Sequence, residues 1–263
     1  MKVALGIEYD GQKFCGWQRQ PHSPSVQARL EKAIQIFLDR PARCVCAGRT
    51  DTGVHATQQV VHVDTPIIRG SRNWVRGVNS HLPPRIAVLW AERVDQDFHA
   101  RYSATARTYR YWIYNHAIRS PIYEGRAGWV WRLMNVDVMR QASRCLLGRH
   151  DFTSFRAAEC QANSPIRTIR ALDIVQQGRL IGIRIRANAF LHHMVRNIVG
   201  SLVYVAIGRE KPEWLAWVLA QRSRAVAAPT FSPAGLYLTG VRYPGAPWSE
   251  CGMSPFGGNF PTE

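Results

Sequence analysis

Ser25-Val26-Gln27-Ala28-Arg29-Leu30-Glu31-Lys32-Ala33-Ile34-Gln35-Ile36-Phe37-Leu38 spaces Val26, Leu30, Ala33, Ile34, Phe37 and Leu38 along one face of a helix, behind a serine suited to cap it. Before it, Val3-Ala4-Leu5-Gly6-Ile7-Glu8-Tyr9 alternates as a strand, and a Gly-rich loop holding Phe14, Gly16 and Trp17 joins the two. After it the pattern predicts a short strand near Arg43 to Cys46, a strand from about Thr57 to Asp64, a short helix near Arg72 to Ser80, and a strand from about Ile86 to Val94. The order β-α-β-β-α-β is the split unit of ferredoxin-like folds, with two helices on one face of an antiparallel sheet.

The same grammar restarts after Phe98-His99-Ala100-Arg101. A strand over Thr108 to Tyr114 precedes a helix over Val136 to Leu147, strands near Ile166 to Gln176 and Leu180 to Ala187, and a long helix from about Phe190 to Ile207. A helix opened by Pro212 and a strand over Leu236 to Tyr243 follow. The expectation is an α+β protein of two similar ferredoxin-like halves with mainly antiparallel sheets and a cleft between them. Residues 1–104 form the first half and 105–245 the second, and the Gly- and Pro-rich residues 246–263 form a loosely held tail.

Lys and Arg number 34 against 18 Asp and Glu among 263 residues, a formal net charge of +16 that attracts phosphate backbones. The cations are interleaved with aromatic residues, as in Arg107-Thr108-Tyr109-Arg110-Tyr111-Trp112, which favours folded surface over a disordered arm. Nucleic acid is the leading partner class; solubility through charge and attraction to an anionic membrane are the alternatives. The six cysteines are scattered, and Cys44-Val45-Cys46 lacks the spacing of zinc or redox motifs, so reduced structural thiols are expected. No run has the length of a signal sequence or a membrane span, and the expected compartment is the cytoplasm.

Ala47-Gly48-Arg49-Thr50-Asp51-Thr52-Gly53-Val54-His55-Ala56 holds one acidic residue in a glycine-bracketed turn of a basic chain. A carboxylate placed where glycines let a substrate approach the backbone suits a nucleophile for a polyanionic ligand. Thr-Asp-Thr-Gly is also an ordinary turn, in which aspartate bonds its own backbone. On the long helix Arg196 falls off the apolar rows of Met194, Ile198, Leu202 and Val195, Val199, Val203, so it either reaches into a cleft or is solvated.

Motifs spread from the first strand to about Tyr243 resemble the TruA family of tRNA pseudouridine synthases. They are Tyr9-Asp10-Gly11 with Phe14-Cys15-Gly16-Trp17-Gln18-Arg19-Gln20, the turn around Asp51, Asn79-Ser80-His81-Leu82-Pro83, and Phe98-His99-Ala100-Arg101-Tyr102-Ser103-Ala104 leading to Arg107-Thr108-Tyr109-Arg110-Tyr111. Asp151-Phe152-Thr153-Ser154-Phe155, Phe190-Leu191-His192-His193-Met194-Val195-Arg196-Asn197 and Gly235-Leu236-Tyr237-Leu238 complete the set. Thr52 stands where many members carry alanine or serine.

The resemblance implies isomerisation of uridine to pseudouridine at positions 38, 39 and 40 of the anticodon arm of tRNA, by a homodimer that uses no metal and no organic cofactor. It implies Asp51 as the catalytic aspartate. Whether that carboxylate attacks C1′, adds to C6 or removes a C2′ proton stays open at this stage. Arg196 would face it as counter-charge, Tyr109 would stack on the target uracil, Arg49 would hold the flipped nucleotide, and Leu236 would floor the pocket. Without the resemblance, Tyr109 reads first as a core aromatic of a strand, Leu236 equally as an inward strand residue, and Arg49 equally as a loop charge. Arg19, Arg101, Arg107 and Arg110 are candidate phosphate contacts, which position RNA without reading its sequence. His55, His192 and His193 lack metal-site spacing, because adjacent histidines on a helix point apart. The competing class is a non-catalytic RNA-binding module, but Thr57-Gln58-Gln59-Val60-Val61-His62-Val63 lacks the aromatics that such a sheet stacks on bases.

Overall fold

The structure, a computed structural model, describes residues 1–246, 248, 256, 257 and 260. In chain order they form β1 (Lys2–Tyr9), α1 (Val26–Leu38), β2 (Cys44–Cys46), β3 (His55–Asp64), α2 (Ser71–Asn79), β4 (Ile86–Val94), β5 (Ala106–Asn115) and β6 (Gly128–Val130). Then follow α3 (Val136–Ser143), β7 (Gly148–Asp151), β8 (Ile166–Gln177), β9 (Leu180–Ala187), α4 (Met194–Ala206), α5 (Trp214–Gln221) and β10 (Leu236–Arg242). The fold is mixed α+β with mainly antiparallel pairing. No helix among the described residues is long and apolar enough to cross a membrane.

Two units divide the chain: Met1–Thr105 with the segment beginning at Tyr237, and Ala106–Leu236 with Phe256 and Phe260. In the first, β1 lies between β4 and β3, antiparallel to both. The other edge of β3 is shared. Its far end takes β2, with Cys46 opposite Val61, and its near end takes β10 in parallel, with Tyr237 opposite His55. The last strand therefore belongs with the first unit from Tyr237 onward, where the sequence reading put it in the second half. The end of the strand is tied to this unit by Thr105 N–H donating to the Arg242 carbonyl (2.8 Å), and the residue after it by Tyr243 Oη donating to the Ala100 carbonyl (2.6 Å).

Helix α1 begins as its pattern predicts: Ser25 has extended backbone and its Oγ accepts the Ala28 N–H at 3.4 Å. Val26, Leu30, Ala33, Ile34 and Leu38 are buried, while Phe37 meets Trp74 of α2 edge-on at 5.2 Å. Glu31 is buried on the same helix and would be costly there without partners. It has them: Cys44 N–H and Gln27 Nε2 donate to Oε1 at 3.0 Å each, and Arg19 reaches Oε2 at 2.5 Å.

In the second unit the sheet order is β5-β9-β8-β7, with the short β6 parallel to β5. Tyr111, Ile113, Ile181, Ile183 and Ile185 are fully buried on β5 and β9, as are Met139, Ile198 and Leu202 of the helices. Strands β6 and β7, which the sequence reading missed, make the element order differ from that of the first unit. Helix α4 also starts later than predicted, at Met194. His193 at its N-cap has φ +60°, which breaks the helical path and leaves Phe190 to His192 outside it. The aromatic residues described in the tail make ring contacts: Trp248 and Trp90 have centroids 4.5 Å apart, Phe260 and Trp112 5.9 Å, whereas Gly257 is exposed.

His62 in β3 is 4% exposed, and its Nδ1 accepts the Ala100 N–H at 3.1 Å. Burial, then the neighbouring His99 and Lys2, lower its pKa to about 4, against the opposing pull of Asp64. Unfolded histidine titrates near 6.5, so between these values the unfolded chain binds the extra proton and stability rises with pH. This contribution is complete above pH of about 6.5 and is lost as pH falls toward 4, as much as roughly 3 kcal/mol in all. His62→Asn keeps an acceptor for Ala100 and should flatten the dependence of unfolding free energy on pH in that window. A His62 ring that titrates near 6.5 by NMR in the folded protein would refute the assignment.

Candidate functional site

The chain leaves β2 and returns to β3 through residues 47–54. Ala47 N–H donates to the Val60 carbonyl (2.8 Å), Gly48 N–H to Gln59 Oε1 (3.3 Å), and Gln59 Nε2 to the Gly48 carbonyl (2.6 Å). The segment thus runs beside β3 as far as Gly48 and then turns back through Asp51. Val54 N–H closes the turn on the Asp51 carbonyl at 3.1 Å. Asp51 itself is half-buried, Arg49 and Thr52 are exposed, and Thr50 is buried.

A second loop, Phe14 to Trp17, grips this turn from both sides. Trp17 N–H donates to the Thr50 carbonyl (3.0 Å) and Gly53 N–H to the Phe14 carbonyl (3.3 Å). Between these bonds sits Gly16, with φ +83°, where a Cβ would fall 2.6 Å from the Thr50 carbonyl oxygen. Glycine is needed there for backbone conformation and for space. Side chains complete the support: the Tyr9 and Thr50 hydroxyls bond at 2.8 Å in a buried position. His55 Nδ1 accepts the Gly11 N–H at 3.1 Å while its ring stacks on Tyr237 at 4.5 Å. Asp10, beside His55, pairs with Arg85. His55 is therefore a brace for the turn. The Cys46 thiol, just before the turn, is pushed up to about 12 by burial and stays protonated at neutral pH.

In the second unit, Tyr109 on β5 is buried and meets Phe190 edge-on at 5.0 Å. Arg196, in the first turn of α4, is half-buried and donates from Nε to the Phe231 carbonyl at 2.8 Å. Its neighbour Asn197 anchors the helix: Nδ2 donates to the Phe155 carbonyl (2.8 Å) and Oδ1 accepts from Thr230 (2.7 Å) and Arg224 (3.3 Å). These bonds anchor the first turn of α4, which carries Arg196; the motif contains Asn197, but no pattern in the sequence marks its partners. Leu236 is buried at the start of β10, its N–H bonded to the Pro233 carbonyl at 3.0 Å. His192 and His193 lie with ring centroids 4.0 Å apart. They precede α4, so the helical argument that adjacent histidines diverge does not apply to them.

The four candidate phosphate contacts differ in setting. Arg101 is exposed, and Arg19 is largely exposed but tied to Glu31. Arg107 is half-buried, with Nη1 donating to the Asn188 carbonyl at 3.0 Å. Arg110 lies on the opposite face of β5 from Tyr109, under the ring of Phe260 at 4.9 Å. Among the candidates named from the sequence, the first unit holds Asp51, Arg49, Arg19 and Arg101; the second holds Tyr109, Arg196, Leu236, Arg107 and Arg110.

A family model described as tRNA pseudouridine synthase matches residues 6–103 and 142–244. Proteins called tRNA pseudouridine synthase A are similar over nearly the whole chain. That of Paraburkholderia phytofirmans is 54% identical over 243 residues, covering 92% of this chain and 90% of its own. That of Bordetella petrii is 52% identical over 245 residues, covering 92% and 91%, and that of Paraburkholderia phymatum 51% over 258 residues, covering 97% of each.

Proposed function

We propose, for a chain that belongs to the tRNA pseudouridine synthase family, that Asp51 is the nucleophile acting on a flipped-out uridine at positions 38, 39 and 40 of the tRNA anticodon stem-loop. The enzyme class, an isomerase that converts uridine in tRNA to pseudouridine, follows from family membership itself. The C1′–N1 bond of the nucleoside breaks and a C1′–C5 bond forms; the proton on C5 leaves, and N1 takes one up. Atoms and electrons balance within the substrate, so the conversion consumes no co-reactant. What it requires is a group that captures the electron-poor fragment during detachment, and a carboxylate on a rigid support does this.

The observation that carries the reading is the doubly gripped turn around Asp51, with Arg49 exposed two residues before it, in a chain of net charge +16. Preorganisation of this kind spares the cost of ordering the nucleophile during reaction. A base drawn from a stacked helix costs a few kcal/mol to extrude, and the remaining candidates are assigned to offset that cost. Tyr109 stacks on the uracil, Arg49 holds the displaced nucleotide through its planar guanidinium, Arg196 is counter-charge to the carboxylate, and Leu236 floors the pocket. The same reading takes the protein as a cytoplasmic homodimer that works without metal or cofactor.

The test is a map of pseudouridine in tRNA from cells that lack the protein, with and without complementation. Wild-type protein should restore modification at 38, 39 and 40. Tyr109→Phe, which keeps the stacking ring, should restore it too, whereas Tyr109→Ala should slow it by about 10-fold or more. Unchanged modification at those positions in the deletion strain overturns the proposed specificity, and failure of Tyr109→Phe replaces stacking with proton transfer as the role of that residue.

A further inference from the structure

Tyr102 is 75% exposed, yet it does not sit on a loose loop. The turn from His99 to Ser103 is closed by Ser103 N–H on the His99 carbonyl and His99 N–H on Ser103 Oγ, both at 2.9 Å. His99 Nδ1 is within hydrogen-bond distance of the Arg101 and Tyr102 N–H groups, 3.2 Å from each. Below the turn, both main-chain groups of Ala100 are taken by core side chains: its N–H by His62 Nδ1 and its carbonyl by Tyr243 Oη. The rings form a stack. His62 meets His99 edge-on at 4.9 Å, and His99 lies under Tyr102 at 4.3 Å with 29° between their planes. One face of the phenol is thus covered by an imidazole, and the Arg101 guanidinium carbon lies 5.5 Å from the ring centroid.

Exposed tyrosines usually surrender rotamer freedom when they bind, which weakens the contact they make. Here that freedom is restricted before any ligand arrives. A largely exposed flat ring backed by an imidazole, with a guanidinium held over it at cation–π distance in a chain of net charge +16, fits a nucleobase with its phosphate, since every base offers a π-face to stack. We propose that Tyr102 is a stacking platform for an unpaired nucleotide of the tRNA substrate, with Arg101 on the adjoining phosphate. The proposal rests on the reading of this chain as a tRNA-modifying enzyme and adds a binding residue to it.

Filter binding of an unmodified tRNA transcript across a salt series tests it. Tyr102→Ala should weaken binding about 10-fold at every salt concentration, with the slope of log K against log salt unchanged, because stacking releases no counterion. Tyr102→Phe should bind within about twofold of wild type, as the ring is what acts. Arg101→Ala should instead lower the slope by about 1. Wild-type affinity in Tyr102→Ala, a loss that Tyr102→Phe shares, or a loss that comes with a changed salt slope would each overturn the platform. Asp51→Asn, assayed for turnover in parallel, separates the two readings: an active Asp51→Asn removes the nucleophile assignment and leaves the stacking result standing.

Discussion

Asp51→Asn should form no measurable pseudouridine, a loss on the order of 10³-fold or more in turnover, while tRNA retention on filters changes less than about twofold. The two amino acids share size and shape, so the turn can keep its fastenings: Val54 N–H on the residue-51 carbonyl, Trp17 N–H on Thr50, and Gly53 N–H on Phe14 are all main-chain bonds. What disappears is the negative charge and the lone pair able to join carbon. Binding survives because no cation is removed; the phosphate-facing charge stays in place, and with it the salt dependence of tRNA affinity. Release of tritium from uracil C5 is the assay. Turnover near wild type in Asp51→Asn would leave this doubly gripped turn as a structural one. Loss of turnover together with loss of binding would show that the substitution had damaged the fold.

The legibility of this fold follows the range of the interactions that build it. Helix α1 could be read from spacing alone because its cap, Ser25, and its buried face, Leu30 to Leu38, are local properties of one segment. Placement of β10 could not, because its partner, His55, lies far back in the chain and no periodicity records which edge a strand will join. Strands β6 and β7 hold three and four residues, too few for alternation to appear. The late start of α4 depends on one residue, His193, whose left-handed backbone no composition rule anticipates. At the candidate site, glycines around an acid in a basic chain pointed to Asp51. The Phe14 to Trp17 loop that grips it was visible only as a motif, because the contact joins segments more than thirty residues apart. Glu31 lies outside the apolar row of α1, and its burial depends on Arg19, Gln27 and the Cys44 amide, which come from other parts of the chain or from the neighbouring turn. Asn197 likewise gave no sign of the three bonds that fix α4 beside Arg196.

Gly16→Ala should lower turnover by about 100-fold and destabilise the first unit by roughly 2–3 kcal/mol, although it adds only a methyl group to a supporting loop. Alanine at φ +83° is strained by about 1–2 kcal/mol on its own, and the smaller unfolded-state entropy of alanine returns only about 0.4–1 kcal/mol. The remainder comes from contact. The new Cβ would lie 2.6 Å from the Thr50 carbonyl oxygen, 3.1 Å from the Asp51 carbonyl carbon and 3.2 Å from the Thr52 nitrogen, all of them main-chain atoms that no rotamer change can move aside. Relief requires the gripping loop and the turn to part by several tenths of an ångström, which strains the Trp17 to Thr50 bond at 3.0 Å and displaces the carboxylate they hold. Gly70→Ala is the control, since a Cβ there meets nothing within 4 Å and its φ is −67°; it should leave turnover within experimental error and cost at most about 1 kcal/mol, because Gly70 is the N-cap of α2. Steady-state kinetics with a tRNA transcript and urea unfolding monitored by tryptophan fluorescence read both quantities. If Gly16→Ala turns over like wild type, or if its defect lies in KM with kcat intact, the rigid support does not set the position of Asp51.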